Sequence, residues 1–170
     1  MRDVFKEQIV KKQPGKKAAI IKTAIIAFIV ILFFLLMPLT GQFTPIIIFA
    51  LGFGAYYYFA TLNVEYEYIF TNGELDIDCI YSKSRRKRVF SGTVRDFEIM
   101  AHVEDKNHVN AFNSATETVD YASGQVKPNT YAFLHTYKGK KLKVIIEPNE
   151  GMVQAFSTYI TPRKFHKTQG

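Results

Sequence analysis

Between Thr23 and Val64 the chain carries no Asp, Glu, Lys or Arg, an uncharged run of 42 residues. As one straight helix it would reach ~63 Å, about twice the ~30 Å hydrocarbon core of a bilayer. A run this long must fold back, and its middle supplies the means. Pro38-Leu39-Thr40-Gly41-Gln42-Phe43-Thr44-Pro45 sets two prolines and a glycine between two strongly apolar runs. Gly41 suits a helix end and Pro45 the first turn of the next helix. The pattern predicts a transmembrane hairpin over residues 23–63, with spans covering about 18–39 and 44–62, and Lys22 reaching toward the headgroups. In the second span Ala50, Gly52, Gly54 and Ala55 offer a small-residue face for helix packing, first of all against the other helix of the hairpin. Tyr56, Tyr57 and Tyr58 stand where an aromatic belt would.

A basic region followed by an apolar run also opens a signal peptide. Here no A-x-A-type cleavage site follows Leu39, and a second apolar run begins almost at once. No ionisable residue lies inside either span, which argues against a transporter or proton relay. Residues 1–22 hold seven basic side chains (Arg2, Lys6, Lys11, Lys12, Lys16, Lys17, Lys22) against Asp3 and Glu7, whereas the connecting loop has none. They read as a basic flank that fixes topology, with both termini in the cytoplasm. Of the net charge of +7, this flank contributes +5, so the excess does not describe a nucleic-acid surface. Cys79 is the only cysteine, which excludes an internal disulfide and fits a reducing compartment.

The remainder is long enough for one small domain, expected at 64–161 with a basic tail at 162–170. Val64–Phe70 alternates acid and aromatic residues, the period-two pattern of a half-buried strand, and Asn72-Gly73 is a strong hairpin turn. Leu75, Ile77 and Cys79 mark a second strand, Arg85–Ser91 a third and Val94–Val103 a fourth. Tyr131–Tyr137 and Leu142–Glu147 are two more. A helix begins at Pro148-Asn149-Glu150, with Met152, Val153, Phe156, Tyr159 and Ile160 at helical spacing, and ends at Thr161-Pro162. Glu104–Asn129 is polar, with room for a short helix near Val109–Ala115 and an edge strand near Thr118–Ala122. Its length and composition favour a mobile loop over a functional one.

The run Tyr68-Ile69-Phe70-Thr71-Asn72-Gly73-Glu74-Leu75-Asp76-Ile77 resembles the first hairpin of bacterial PH-like membrane proteins, and Arg85–Val89 and Val94–Ile99 continue the likeness. Over most of its length the chain is similar to an uncharacterised family of small two-helix membrane proteins from clostridial Firmicutes. That resemblance implies an α+β architecture: a two-helix transmembrane hairpin, then a PH-like antiparallel β-barrel or sandwich with a C-terminal helix. It implies no established activity.

The densest charge, Lys83, Arg85, Arg86, Lys87 and Arg88, is the candidate contact for anionic lipid headgroups or an acidic protein partner. Strand alternation sends Arg85 and Lys87 to one face and Arg86 and Arg88 to the other. Pairing with Glu65, Glu67, Asp76 or Asp78 is the plainer use of these charges. His102, His108, His135 and His166 lack metal-site spacing, and Cys79 reads as a small core residue. No cofactor, metal or nucleic acid is expected. The leading expectation is a non-enzymatic, membrane-anchored binding or scaffolding module. The alternatives are an accessory subunit of a larger membrane complex, assembled through the helices, and, more remotely, a hydrolase at the bilayer. Oligomeric state and the identity of any partner are not encoded in these patterns.

Overall fold

The computed structural model describes residues 3–137 and 139–167. Lys16–Thr40 (α1), a 3-10 turn at Gly41–Phe43 and Thr44–Thr61 (α2) form one uninterrupted helical stretch. Within it Ala18–Ala60 is long and apolar enough to cross a membrane. α1 runs through Pro38 to Thr40, with Gly41 at its C-terminal end as expected. The missing N–H of Pro38 cannot bond the carbonyl four residues back, a cost that falls on the turn before the proline. Gly41 stands at φ +50°, and its N–H donates to the Met37 carbonyl. Pro45 stands in the first turn of α2.

The two ends of this stretch are brought together. Lys12 N–H donates to the Val64 carbonyl at 2.9 Å, and Lys22 Nζ lies 5.7 Å from the Phe59 ring centroid. The reason is a strand that the sequence reading took for flank. Phe5–Lys11 (β1) pairs antiparallel with Val64–Thr71 (β2), from Phe5 opposite Thr71 to Lys11 opposite Glu65. Alternation explains the correction. Lys6, Gln8 and Val10 face the same side as Phe70, Tyr68 and Tyr66, and Val10 enters the core at 7% exposure. The basic residues around that pattern hid it.

Glu74–Tyr81 (β3) and Arg85–Thr93 (β4) complete a four-stranded sheet in the order β1-β2-β3-β4. The turn between β2 and β3 has Asn72 and Gly73 at φ +51° and +99°. A Cβ at Gly73 would lie 2.8 Å from Tyr159, so glycine is required there twice over. After a 3-10 turn at Val94–Asp96 come Ile99–His102 (β5), Val109–Asn113 (α3), Glu117–Asp120 (β6), Tyr131–Tyr137 (β7), Lys140–Ile146 (β8), Glu150–Tyr159 (α4) and Phe165–His166 (β9). The second sheet runs β6-β8-β7-β5-β9.

This sheet departs from expectation in three ways. The strand expected at 94–103 opens with the 3-10 turn over Val94–Asp96 and is a strand only at Ile99–His102. The pairings β6–β8 and β5–β9 are parallel, not antiparallel. The supposed basic tail supplies β9, because Phe165 is an apolar anchor only 7% exposed. The Glu104–Asn129 segment also folds down, carrying α3 and β6 and burying Ala122 and Ser123.

The core lies between the sheets. Tyr66, Tyr68, Phe70, Leu75 and Ile77 meet Met100, Phe133, Val144 and Ile146, and α4 closes one end with Met152, Phe156 and Ile160. Asn149 caps α4 by accepting the Met152 N–H at 2.9 Å. On the outer face of the second sheet, Phe112 of α3 covers Ala101, Ala132 and Leu134.

Two outcomes follow for stability. Phe156 is fully buried with its ring 5.1 Å from that of Phe70, so Phe156→Ala should lower unfolding free energy by roughly 3–5 kcal/mol in denaturant titration; a loss under about 1 kcal/mol would contradict this packing. Because Lys12 and Val64 are in contact, replacing residues 13–62 by a short turn should yield a soluble, cooperatively folding domain. A fragment starting at Val64, which strips β1 from β2, should self-associate in sedimentation. A well-behaved monomer from that fragment would show that β1 is dispensable.

Candidate functional site

The basic run divides as strand geometry demands. Arg86 Nη1 lies 2.8 Å from Glu67 Oε2. Arg88 binds Asp76 at 2.6 Å and Asp78 at 2.7 Å. These charges share the outer face of the first sheet, where Glu67 stands opposite Asp78 and Asp78 opposite Arg88. Glu67 lies beneath its strand neighbours, its side chain 3% exposed. Burial raises its pKa above 4.5; Arg86 opposes the shift, and Glu7 and Asp78 reinforce it. Lys83, Arg85 and Lys87 are exposed and make no ion pair among the described residues. The five-residue cluster is therefore not one patch.

Lys83 is instead gathered to the helix–sheet junction. It sits with Ser82 in the turn between β3 and β4, at φ +58° and +50°. The turn closes through Ser84 N–H to the Tyr81 carbonyl at 3.1 Å. The same backbone pattern serves Asn72 and Gly73 at the other end of β3, but Ser and Lys are poorer occupants of left-handed backbone. Ser82 is held there by two bonds. Its N–H donates to the Asn63 carbonyl at 2.9 Å, and its Oγ donates to the Ala60 carbonyl at 2.6 Å. The turn is thereby bolted to the last turn of α2. Between them opens a hollow of about 330 Å³ lined by Lys11, Lys12, Lys83, Asn63, Val64 and Glu65, with Ala60 and Ser82. Lys11 approaches Glu65 only to 3.9 Å, and its side chain is 76% exposed. Lys12 Nζ is 3.3 Å from the Tyr66 hydroxyl.

A second polar centre lies beside it. The Ser123 hydroxyl donates to Glu147 Oε1 at 2.5 Å, and Lys127 Nζ reaches Oε2 at 2.9 Å. Tyr68 donates its hydroxyl proton to the Tyr121 carbonyl and accepts the Glu147 N–H; burial pushes its phenol well up from its ordinary value. Gln8 bonds the Glu147 carbonyl, and Gln13 N–H the Ser123 carbonyl. A hollow of about 560 Å³ touches Ser123, Lys127 and Glu147. Ser123 and Glu147 are both buried, and the three residues tie the loop after β6 to the end of β8.

Three of the four small residues of α2 lie toward α1. Ala50, Gly54 and Ala55 line a gap of about 360 Å³ with Ile25, Phe28 and Ile29. A Cβ at Gly52 or Gly54 meets no atom within 4 Å. The histidines stay apart from the junction. His108 bonds Asp105 at 2.9 Å, its ring 4.1 Å from that of His166. His135 is packed against Phe90 and Phe97. Among the described residues no group of three or more His, Cys, Asp or Glu is placed to hold a metal. Cys79 is buried in the core.

Lys11, Lys12, Asn63 and Ser82 were missed by sequence reasoning. The signal that could have found them is the strand pattern in Phe5–Lys11, since pairing β1 with β2 carries Lys11 and Lys12 to the start of β2. The family model described as bacterial PH-like domain (DUF6106) matches residues 2–167. No curated protein and no solved structure matches the chain.

The Glu67 carboxyl gives a pH signature. Its folded pKa is raised above 4.5, so the folded state holds more protons than the unfolded one just above that pH. Its stabilising contribution is present below 4.5 and is lost as pH rises through the raised value. The wild-type melting temperature minus that of Glu67→Gln should therefore fall between pH 4.5 and neutrality. A rising difference would mean that Arg86 outweighs burial.

Proposed function

The chain belongs to the bacterial PH-like domain family, and from that premise we propose a two-pass membrane protein whose domain is a non-enzymatic binding or scaffolding module on the cytoplasmic face. The observation that carries the proposal is the 2.9 Å bond between Lys12 and Val64. A helical stretch whose entry and exit touch must begin and end on one side of a bilayer. Lys22 beside Phe59 carries the same closeness into the first turns. The two helices then run as a hairpin, turning over at Gly41–Phe43 with Thr40 and Thr44 hydroxyls 2.8 Å apart. That pairing relieves polar groups at the tip of the hairpin. Lys16, Lys17 and Lys22 at the entry, against an uncharged tip, favour a cytoplasmic domain.

The binding role is supported by β1, which is an edge strand with Phe5 and Ile9 58% and 52% exposed. An edge of this kind can accept an added strand from a protein partner. The non-enzymatic reading is supported by the burial of the Ser123–Glu147–Lys127 tie, whose serine and carboxylate are only 2% and 3% exposed. A second reading, an accessory subunit assembled through its helices, is favoured by the open space at Gly52 and Gly54, which a neighbouring helix would fill.

Labelling of intact cells with a membrane-impermeant maleimide tests the topology, since native Cys79 is buried. A cysteine at Gln42 should react from outside, and one at exposed Lys106 only after permeabilisation. Labelling at Lys106 in intact cells would overturn the cytoplasmic placement.

A further inference from the structure

The geometry points to the hollow at the helix–sheet junction as a binding site for the phosphodiester of an anionic phospholipid, an assignment that rests on α1 and α2 crossing a bilayer. Its depth is set by the chain itself. Ala60 belongs to the last turn of α2 and Val64 opens β2, so the hollow lies where the apolar run ends and the sheet begins. Phospholipid phosphates occupy that level of a membrane.

Its chemistry fits the same ligand. Lys11, Lys12 and Lys83 line the hollow with a single acid, Glu65, and the Lys12 ammonium rests on the Tyr66 hydroxyl at 3.3 Å. Only Lys11 approaches the Glu65 carboxylate, at the outer limit of an ion pair. The walls contributed by Ala60 and Val64 are apolar, which suits the glycerol end of a lipid better than a free ion surrounded by water. The volume of about 330 Å³ is in the range of small-ligand sites.

The turn chemistry is the independent argument. The chain uses Asn72-Gly73 for one turn with two positive φ values and Ser82-Lys83 for the other. Non-glycine residues tolerate that backbone poorly, and such strain is characteristic of positions held for a purpose. Ser82 fastens the turn to α2 through the Ala60 carbonyl. Lys83 then has no choice but to stand at the membrane level. Arg86 and Arg88, though part of the same basic run, already serve Glu67, Asp76 and Asp78. The headgroup contact is thus moved off the strand and onto the junction.

Full-length protein reconstituted in nanodiscs of equal phosphatidylglycerol and phosphatidylcholine, then released for native mass spectrometry, provides the test. The wild type should retain phosphatidylglycerol in preference to phosphatidylcholine. Lys11→Gln/Lys83→Gln should lose roughly tenfold of that retention, both lysines standing near the anionic surface. The control is Arg95→Gln/Lys164→Gln, which removes the same two charges. Arg95 and Lys164 are joined at 3.2 Å beside the Gly73 turn, roughly 23 Å along β2 from the junction and beyond a Debye length of about 10 Å. That variant should retain phosphatidylglycerol as the wild type does. Equal loss in both variants, or no preference in the wild type, overturns the site. Thermal stabilisation by inorganic phosphate without any by phosphatidylglycerol would also overturn it, by assigning the hollow to a free anion. Carbonate extraction of native membranes separates the two levels of the argument. A chain that stays in the pellet but shows no preference refutes the site alone, whereas a chain released to the supernatant refutes the membrane span and the site with it.

Discussion

One main-chain hydrogen bond, from Lys12 N–H to the Val64 carbonyl, constrains more of this protein than any side chain does. It makes β1 and β2 the two arms of a single hairpin whose loop is the entire helical stretch. An ordinary hairpin loop of two to five residues has little freedom to lose on closure. Here the loop has more than fifty residues, and closure entropy still grows only with the logarithm of that length. A helical loop reduces it further, since fewer of its residues are free and its two ends meet. The strand pairing and the helix arrangement therefore reinforce one another.

The charge distribution follows from that geometry. Pairing β1 with β2 adds Lys11 and Lys12 to the end of the sheet that adjoins the helices. On the outer face, acids of β2 and β3 face Arg86 and Arg88 of β4 across strand rungs, so charge is neutralised locally. At the junction it is not. The same count of basic residues thus yields a balanced sheet face and an unbalanced rim. Mean charge conceals this, because neutrality along the strands depends on register, which composition does not record.

The parts of the fold legible in sequence were those with strong local signals. Asn72-Gly73 announced its turn, Asn149 its cap, and Met152, Phe156 and Ile160 the buried side of α4. What stayed hidden depends on partners distant in sequence. Phe5–Lys11 mixes lysines with apolar residues and looks like a flank until β2 is set beside it. Phe165–His166 is too short to carry a period and is a strand only because β5 accepts it in parallel register. Of Glu117–Asp120, expected as an edge strand near Thr118–Ala122, what stayed hidden was the parallel pairing with β8. The Ser123–Glu147–Lys127 tie draws on residues from two separate segments of the chain, and a sequence window cannot register it. The basic run and its division by strand alternation were both legible, and only the match of each arginine to its carboxylate required the register.

The connections between helices and sheet are very short. Residues 12–15 lead into α1, and residues 62 and 63 lead out of α2. The first connection is fastened again by Gln13 to the Ser123 carbonyl, and Ser123 is anchored in turn on Glu147. The second is fastened by Ser82 to both the Asn63 and Ala60 carbonyls. Neither joint has slack to absorb a tilt of the helices. A change in their angle must appear as shear between β1 and β2, or break one of these bonds. The bond at Ser82 is the more exposed of the two, because Ser82 stands on a strained turn at the rim while Ser123 is buried. The β3–β4 turn is accordingly where movement of α2 would first reach the domain, and it is also where Lys83 stands.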